Sequence, residues 1–212
     1  IIAFCGGAFF LYKLTKKYAG TTSGLITLLF FTFNPYIFFY SRAFQPESAM
    51  LFFSIAMLYF FSEWIDKEGW WRFTLMTLFA TLAFLVKIPT ICLGLPLLYL
   101  CLQKYKLNVL KQWKLWIFTA VSILLTFLWY NHSNYLKTIE GGISNNTLSF
   151  TYYVFEYSIY YAMRFSFYKK VFFNEVFEKD LIYVGGVFFV LGIIFTLRKR
   201  EFRYIHYWLL AI

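Results

Sequence analysis

Between Tyr18 and Ser41 the chain carries no charged residue for 24 consecutive positions, and between Ser48 and Ser62 for another 15. The hydrocarbon core of a bilayer selects runs of this kind, because about 20 apolar residues make a helix roughly 30 Å long. In water they would leave more apolar surface than a chain of 212 residues can bury. Only 14% of the residues are charged, against about 25% in ordinary soluble domains. With 61% hydrophobic residues and the charges confined to breaks between runs, the predicted fold class is all-α, a polytopic transmembrane helix bundle.

Spans are expected at 1–13, 22–41, 47–63, 115–133, 181–197 and 205–212. The stretch 73–103 is apolar throughout, but Lys87 and Pro89 interrupt it in "FLVKIPTICLG". As one helix it would be about 46 Å long, too long for the hydrocarbon core. As two short helices it turns at Lys87–Thr90. The excess of Lys and Arg on cytoplasmic loops decides between them. Two spans put thirteen basic residues on inner loops and only Arg42 and Lys87 on outer ones; one span leaves five inside against nine outside. The two-span reading gives about eight helices, six of them complete. It places "YSRAFQPES", "VKIPT" and 134–180 on one extracytoplasmic face. The organisation is then 1–133 transmembrane helices, 134–180 an outer segment and 181–212 further spans. The Tyr- and Phe-rich 134–180 reads as interfacial helices along the outer leaflet, either packed on the bundle or forming a lid over a site.

The chain opens "IIAFCGG" without a methionine and closes "HYWLLAI" inside an apolar run, so the expectation is a fragment of a longer protein. The net charge of +10 would suggest nucleic acid in a soluble protein; here the basic loops orient the chain and meet anionic lipid, and no nucleic-acid partner is expected. Cys5, Cys92 and Cys101 lie in or beside apolar runs without metal or disulfide spacing, and read as core or lipid-facing residues. Two Asn-x-Ser/Thr sequons begin at Asn131 and Asn145. His132 has no ligand partner at metal spacing, and no P-loop, HExxH, CxxC or GxGxxG occurs.

Three charges stand at outer helix ends, where orientation does not require them: Arg42, Glu47 and Lys87. Charge at membrane depth costs several kcal/mol unless it is paired, hydrated or bound to ligand. Arg offers a planar fork of donors to phosphate and Lys a compact positive charge. Pro46 can open a helix, which puts Glu47 in the first turn, where the helix dipole favours its ionised form. Glu47 can accept from sugar hydroxyls, act as a base or hold a divalent metal. The bland alternative is that Arg42 and Glu47 pair with each other. Tyr40 and Gln45 complete the candidate substrate- and phosphate-binding set.

The stretches "FNPYIFFYSRAFQPESAMLFF" and "FLVKIPTICLG" resemble polytopic glycosyltransferases of the GT-C fold, nearest to family 39, the protein-mannosyltransferase and aminoarabinose-transferase-like group. Pro35, Tyr40-Ser41-Arg42, Pro46-Glu47 and Leu85-Val86-Lys87 with Pro89 carry the resemblance over about residues 7–130. Two departures stand out: Glu47 where Asp is frequent, and Val86 where Thr is usual. The resemblance implies transfer of a sugar from a polyprenyl-phosphate donor to a lipid, glycan or protein acceptor outside the membrane. It places such a protein in protein glycosylation or in cell-envelope and lipopolysaccharide modification, most simply in a bacterial-type plasma membrane. It also implies a catalytic Asp in an outer loop upstream of residue 1, so no catalytic residue is assigned within the chain. The competing classes are a transporter or flippase and a lipid-linked glycan polymerase or ligase. A transporter needs polar residues through the midplane, where these helices offer only small hydroxyls such as Ser54 and Thr81. A polymerase or ligase tends to use an arginine-rich outer loop, and 134–180 holds only Arg164.

Overall fold

The computed structural model describes residues 1–43 and 45–140, with Arg164, Val187, Val190, Leu191, Gly192 and Ile194 beyond them. The expected interfacial helices after residue 140 and the spans at 181–197 and 205–212 otherwise lie outside the described residues. What is described is helical, without a strand. The elements are α1 (Ile2–Phe33), α2 (Pro35–Arg42), α3 (Glu47–Asp66), α4 (Trp70–Val86), α5 (Gly94–Tyr105) and α6 (Trp113–Glu140). Two 3₁₀ helices, Ile88–Leu93 and Lys106–Lys111, flank α5. Among the described residues three segments are long and apolar enough to cross a membrane: Glu47–Asp66, Ile88–Lys111 and Trp113–Leu136. Trp70–Val86 is apolar but shorter.

The helices run between two ends of the bundle, which their polar contacts identify. At one end Lys87, just after α4, meets Glu47, at the start of α3. At the other, Lys104 near the end of α5 meets Glu68, in the turn between α3 and α4. Helix α4 therefore climbs from the second end to the first and α5 descends again. That is the two-helix solution for 73–103, with Lys87 extended (φ −149°, ψ 119°) and Pro89 in the first turn of the following 3₁₀ helix. Lys114 at the start of α6 also meets Glu68, and the Tyr130 hydroxyl donates to the Leu85 carbonyl at 3.4 Å. Helix α6 thus runs beside α4, and it continues to Glu140, seven residues past the expected span.

Two expectations about α1 and α2 are corrected. The expected spans 1–13 and 22–41 leave the basic stretch between them as a loop. The backbone instead stays helical to Ala19 and reverses at Gly20 alone (φ 85°, ψ 172°), a conformation that only glycine adopts without strain. The expected single span 22–41 is broken at Asn34, which is extended (φ −66°, ψ 116°), because a residue before proline is pushed out of the α region. The Asn34 side chain then caps α2, its Oδ1 accepting from the Ile37 N–H at 2.9 Å.

The core lies where α3 meets α4, α5 and α6. Met57, Phe61, Trp64 and Met76 are fully buried there, and Phe61 also meets the Phe118 ring of α6 at 5.6 Å. A smaller cluster of Ala8, Phe31 and Ile55 joins α1 to α3. Between these two clusters the rings of Phe10, Phe52, Phe60 and Phe79 pack together, with Phe60 and Phe79 nearly parallel 5.5 Å apart and Phe10 edge-on to Phe79 at 6.1 Å. Helices α4 and α6 pack against each other, and small residues are buried on both, Thr77, Ala80, Thr81 and Ala83 on α4 and Ser122 and Thr126 on α6, the composition that lets helices approach closely in lipid.

The Lys17 end does more than orient the chain. The Lys17 ammonium sits 3.0 Å from Glu63 and 2.6 Å from Asp66, which extends α3 past residue 63, where its span was expected to end. Arg72 approaches the same Glu63 at 3.9 Å. Glu68 accepts from the Tyr105 hydroxyl at 2.9 Å and lies 3.3 and 3.4 Å from Lys104 and Lys114. Lys104 also donates to the Ile65 carbonyl. The Tyr105 hydroxyl, helped by Lys104 and Lys114, holds the Glu68 carboxyl below its ordinary value of 4.5. A depressed carboxylate contributes stability above its unfolded pKa and loses it as the pH falls through the folded one. The thermal midpoint in detergent is therefore expected to fall as the pH drops below about 4.5. Glu68→Gln should flatten that dependence; an unchanged profile in the variant would contradict the assignment.

Lys106 has the one positive φ of a non-glycine residue among the described residues (φ 52°, ψ −131°). Such strain costs about 1–3 kcal/mol. Lys106→Gly is expected to raise stability by about 1 kcal/mol, seen as a higher melting temperature in detergent. A lower one would mean that the lysine side chain contributes more than its backbone strain removes.

Candidate functional site

The site forms at the Glu47 end, where the turn between α2 and α3 meets the turn between α4 and α5. Helix α2 finishes at Arg42, and Pro46 starts α3 with its carbonyl accepting from the Met50 N–H at 2.8 Å. This makes Glu47 a first-turn acid, as the Pro-Glu order predicts. The Ser48 hydroxyl donates to the Tyr40 carbonyl at 3.0 Å and ties the first turn of α3 to the last turn of α2. On the other side the Lys87 N–H still donates to Ala83 at 3.0 Å, closing α4. The Lys87 carbonyl accepts from both the N–H and the hydroxyl of Thr90, at 3.1 and 2.7 Å. Lys87 is thus held by its backbone on both sides while its side chain reaches across.

It reaches Glu47. The Lys87 ammonium donates to Glu47 Oε1 at 2.8 Å, across 40 residues of sequence. The two side chains are 39% and 30% exposed, so the pair is neither sunk in the core nor fully solvated. The other carboxylate oxygen, Glu47 Oε2, is buried and has no hydrogen-bond partner among the described residues. A buried acceptor of an ionised group left unmatched costs about 1–3 kcal/mol or more. Such atoms in native structures call for an explanation, and a bound ligand is one.

The remaining expected residues sit around this pair. Arg42 is exposed, makes no ion pair among the described residues and lies 5.6 Å over the Phe38 ring. The alternative in which Arg42 and Glu47 neutralise each other is therefore set aside: Glu47 has chosen Lys87. Tyr40 packs edge-to-face on Phe39 at 5.5 Å. Gln45 is exposed in the bend before Pro46. Among the described residues no three His, Cys, Asp or Glu side chains gather as a metal site, so a cation at Glu47 would draw its other ligands from elsewhere. Ser48, Thr90 and Tyr130, which brace the corner, were not singled out from the sequence. Ser48 leaves a trace there as a hydroxyl next to Glu47 and Thr90 as one three residues after Lys87, whereas Tyr130 leaves none.

No curated protein and no solved structure matches the chain. A family profile does, over residues 1–131, which is more than half of the chain and includes the whole of the corner just described. Its description is dolichyl-phosphate-mannose-protein mannosyltransferase, and the chain belongs to that family of membrane glycosyltransferases.

Proposed function

We propose that the chain is part of an enzyme that transfers a sugar, mannose or a close relative, from a polyprenyl-phosphate donor to a lipid, glycan or protein acceptor at the extracytoplasmic face. The observation that carries this reading is the Glu47–Lys87 pair with its unmatched oxygen: a cation and a hydrogen-bond acceptor fixed side by side at a helix end. A phosphosugar needs both. The acceptor hydroxyl attacks the anomeric carbon, the bond from that carbon to the phosphate oxygen breaks, and its electron pair stays on the polyprenyl phosphate. The hydroxyl proton goes to a general base, expected as an acid upstream of residue 1. Lys87 and Arg42 lie where charge builds on the departing phosphate, which lowers the barrier by electrostatic stabilisation. Glu47 holds Lys87 in place with Oε1, and binding of the sugar opens access to the buried Oε2, which then accepts from a sugar hydroxyl. Tyr40, in the last turn of α2, and Gln45, two residues before Glu47, complete the proposed binding set.

The test is transfer of labelled mannose from polyprenyl-phosphate mannose by the full-length protein in liposomes. Activity in the wild type that is lost in Glu47→Gln, with membrane insertion intact, supports the reading. Wild-type rates in that variant would refute the site. Transport of the labelled donor across the vesicle membrane without transfer would refute the enzyme assignment.

A further inference from the structure

At the opposite end of the bundle a second site lies between α5 and α6. It is a groove of about 280 Å³, floored by Phe61 of α3 and lined among others by Leu97, Leu98, Cys101, Leu110, Trp116 and Phe118. Its lining is almost wholly apolar; Thr119 is the one hydroxyl. The 3₁₀ helix Lys106–Lys111 passes along it and contributes Val109 and Leu110. That short segment has a lysine at each end and carries Leu107 and Leu110 at 92% and 72% exposure.

The charges around the groove are unbalanced. Among the described residues this end holds nine cations, in 13–17, 67–72 and 104–114, against three acids, Glu63, Asp66 and Glu68. All three acids are occupied: Glu63 by Lys17 and Arg72, Asp66 by Lys17, and Glu68 by Lys104 and Lys114. Lys13 and Lys16 lie over the rings of Phe9 and Tyr12. Lys67, Lys106 and Lys111 are exposed and pair with no acid among the described residues. Of these, Lys106 and Lys111 are the cations of the very segment that lines the groove. Lys106 is also the residue held at positive φ, a strain of the kind that gathers at ligand sites. Trp70, Trp71, Trp113 and Trp116 are all more than half exposed at this end, the residues that settle at the level of lipid headgroups.

We infer that this groove is a binding site for an anionic membrane phospholipid, one acyl chain lying along α5 between Leu98 and Trp116 and the headgroup phosphate held by Lys106 and Lys111. Charge complementarity selects the occupant. A neutral lipid or an apolar helix would fill the groove but leave both lysines unmatched, whereas an anionic headgroup meets them at the depth where juxtamembrane cations find lipid phosphates. The site is separate from the Glu47–Lys87 corner, because α3 and α4 place the two at opposite ends.

Native mass spectrometry of the full-length protein, loaded with mixed phosphatidylglycerol and phosphatidylcholine, tests this. The wild type is expected to retain phosphatidylglycerol at least tenfold over phosphatidylcholine. Lys106→Gln with Lys111→Gln should abolish the preference, and Leu98→Trp, which fills the groove, should lower retention of both lipids. Lys13→Gln with Lys16→Gln, cations of the same end outside the groove, should leave the preference unchanged. Equal retention in the wild type, as when another segment of the chain or a second copy occupies the groove, would overturn the site. So would an equal loss in the Lys13/Lys16 variant, which would show diffuse surface attraction. Melting temperatures confirm that each variant is folded, and the two lysine variants decide the matter should Leu98→Trp not fold.

Discussion

Replacing Lys87 with methionine in the full-length protein is expected to cut the rate of sugar transfer by roughly 10²–10³, while the protein still inserts and folds. Methionine keeps the length and the apolar stem but removes the charge. The cost to folding should be small, because Glu47 and Lys87 are both partly exposed and pairs of that kind contribute only about 0–1 kcal/mol. The cost to catalysis should be large, because a cation fixed beside a departing phosphate acts mainly on the transition state. Lys87→Arg separates the two roles further. It keeps the charge but spreads it over a planar fork, so it should recover part of the rate and not all of it. A purely structural pair predicts the reverse pattern: lower melting temperatures in the methionine variant and unchanged turnover per folded molecule.

Gly6→Leu is expected to have the largest effect on the fold. A Cβ at position 6 would lie 2.5 Å from the Phe52 ring, which stacks on Phe10 and meets Phe79 edge to face. Next to it, a Cβ on Gly7 would reach ordinary contact distance, 3.6 Å, from the backbone of Phe52. The two glycines let α1 come almost to the backbone of α3, as small residues do between helices in lipid. A leucine at position 6 must push α1 away or turn Phe52 out of the stack, and overpacking of this kind costs about 1–3 kcal/mol, occasionally more. Moving α1 also threatens the Lys17 contacts to Glu63 and Asp66. The expected readout is a melting temperature in detergent several degrees lower, with Gly7→Ala near wild type. An unchanged melting temperature for Gly6→Leu would show that α1 does not pack on α3 at this distance.

Much of the helix layout was legible because it follows from charge and proline. The charge-free run after Glu47 is α3, Pro46 sets its first residue, and Lys87 with Pro89 divides 73–103 into two helices. Counting basic residues placed Arg42, Glu47 and Lys87 together and the lysine-rich turns apart from them, and the two ends of the bundle keep that grouping. Local breaks were harder to see. Asn34 interrupts an otherwise uniform apolar run, and its effect depends on one proline. Gly20 does the work of an expected loop, which depends on one backbone angle. The pairing of Glu47 was not legible at all: Arg42, five residues away, is the nearer cation in sequence, and only the antiparallel packing of α3 on α4 brings Lys87 to it. The packing of α1, α5 and α6 around α3 and α4 turns Glu63, Asp66 and Glu68 from loop charges into clamps on Lys17, Lys104 and Lys114.

Equilibrium binding of polyprenyl phosphate to the full-length protein in nanodiscs of neutral lipid tests the central claim most directly, because it isolates recognition of the phosphate from the chemistry that follows. Binding to the wild type that weakens at least tenfold in Lys87→Met, while an uncharged polyprenol binds both proteins equally, is the predicted result. Equal affinity of the two proteins for polyprenyl phosphate would contradict the assignment of this corner as the donor site.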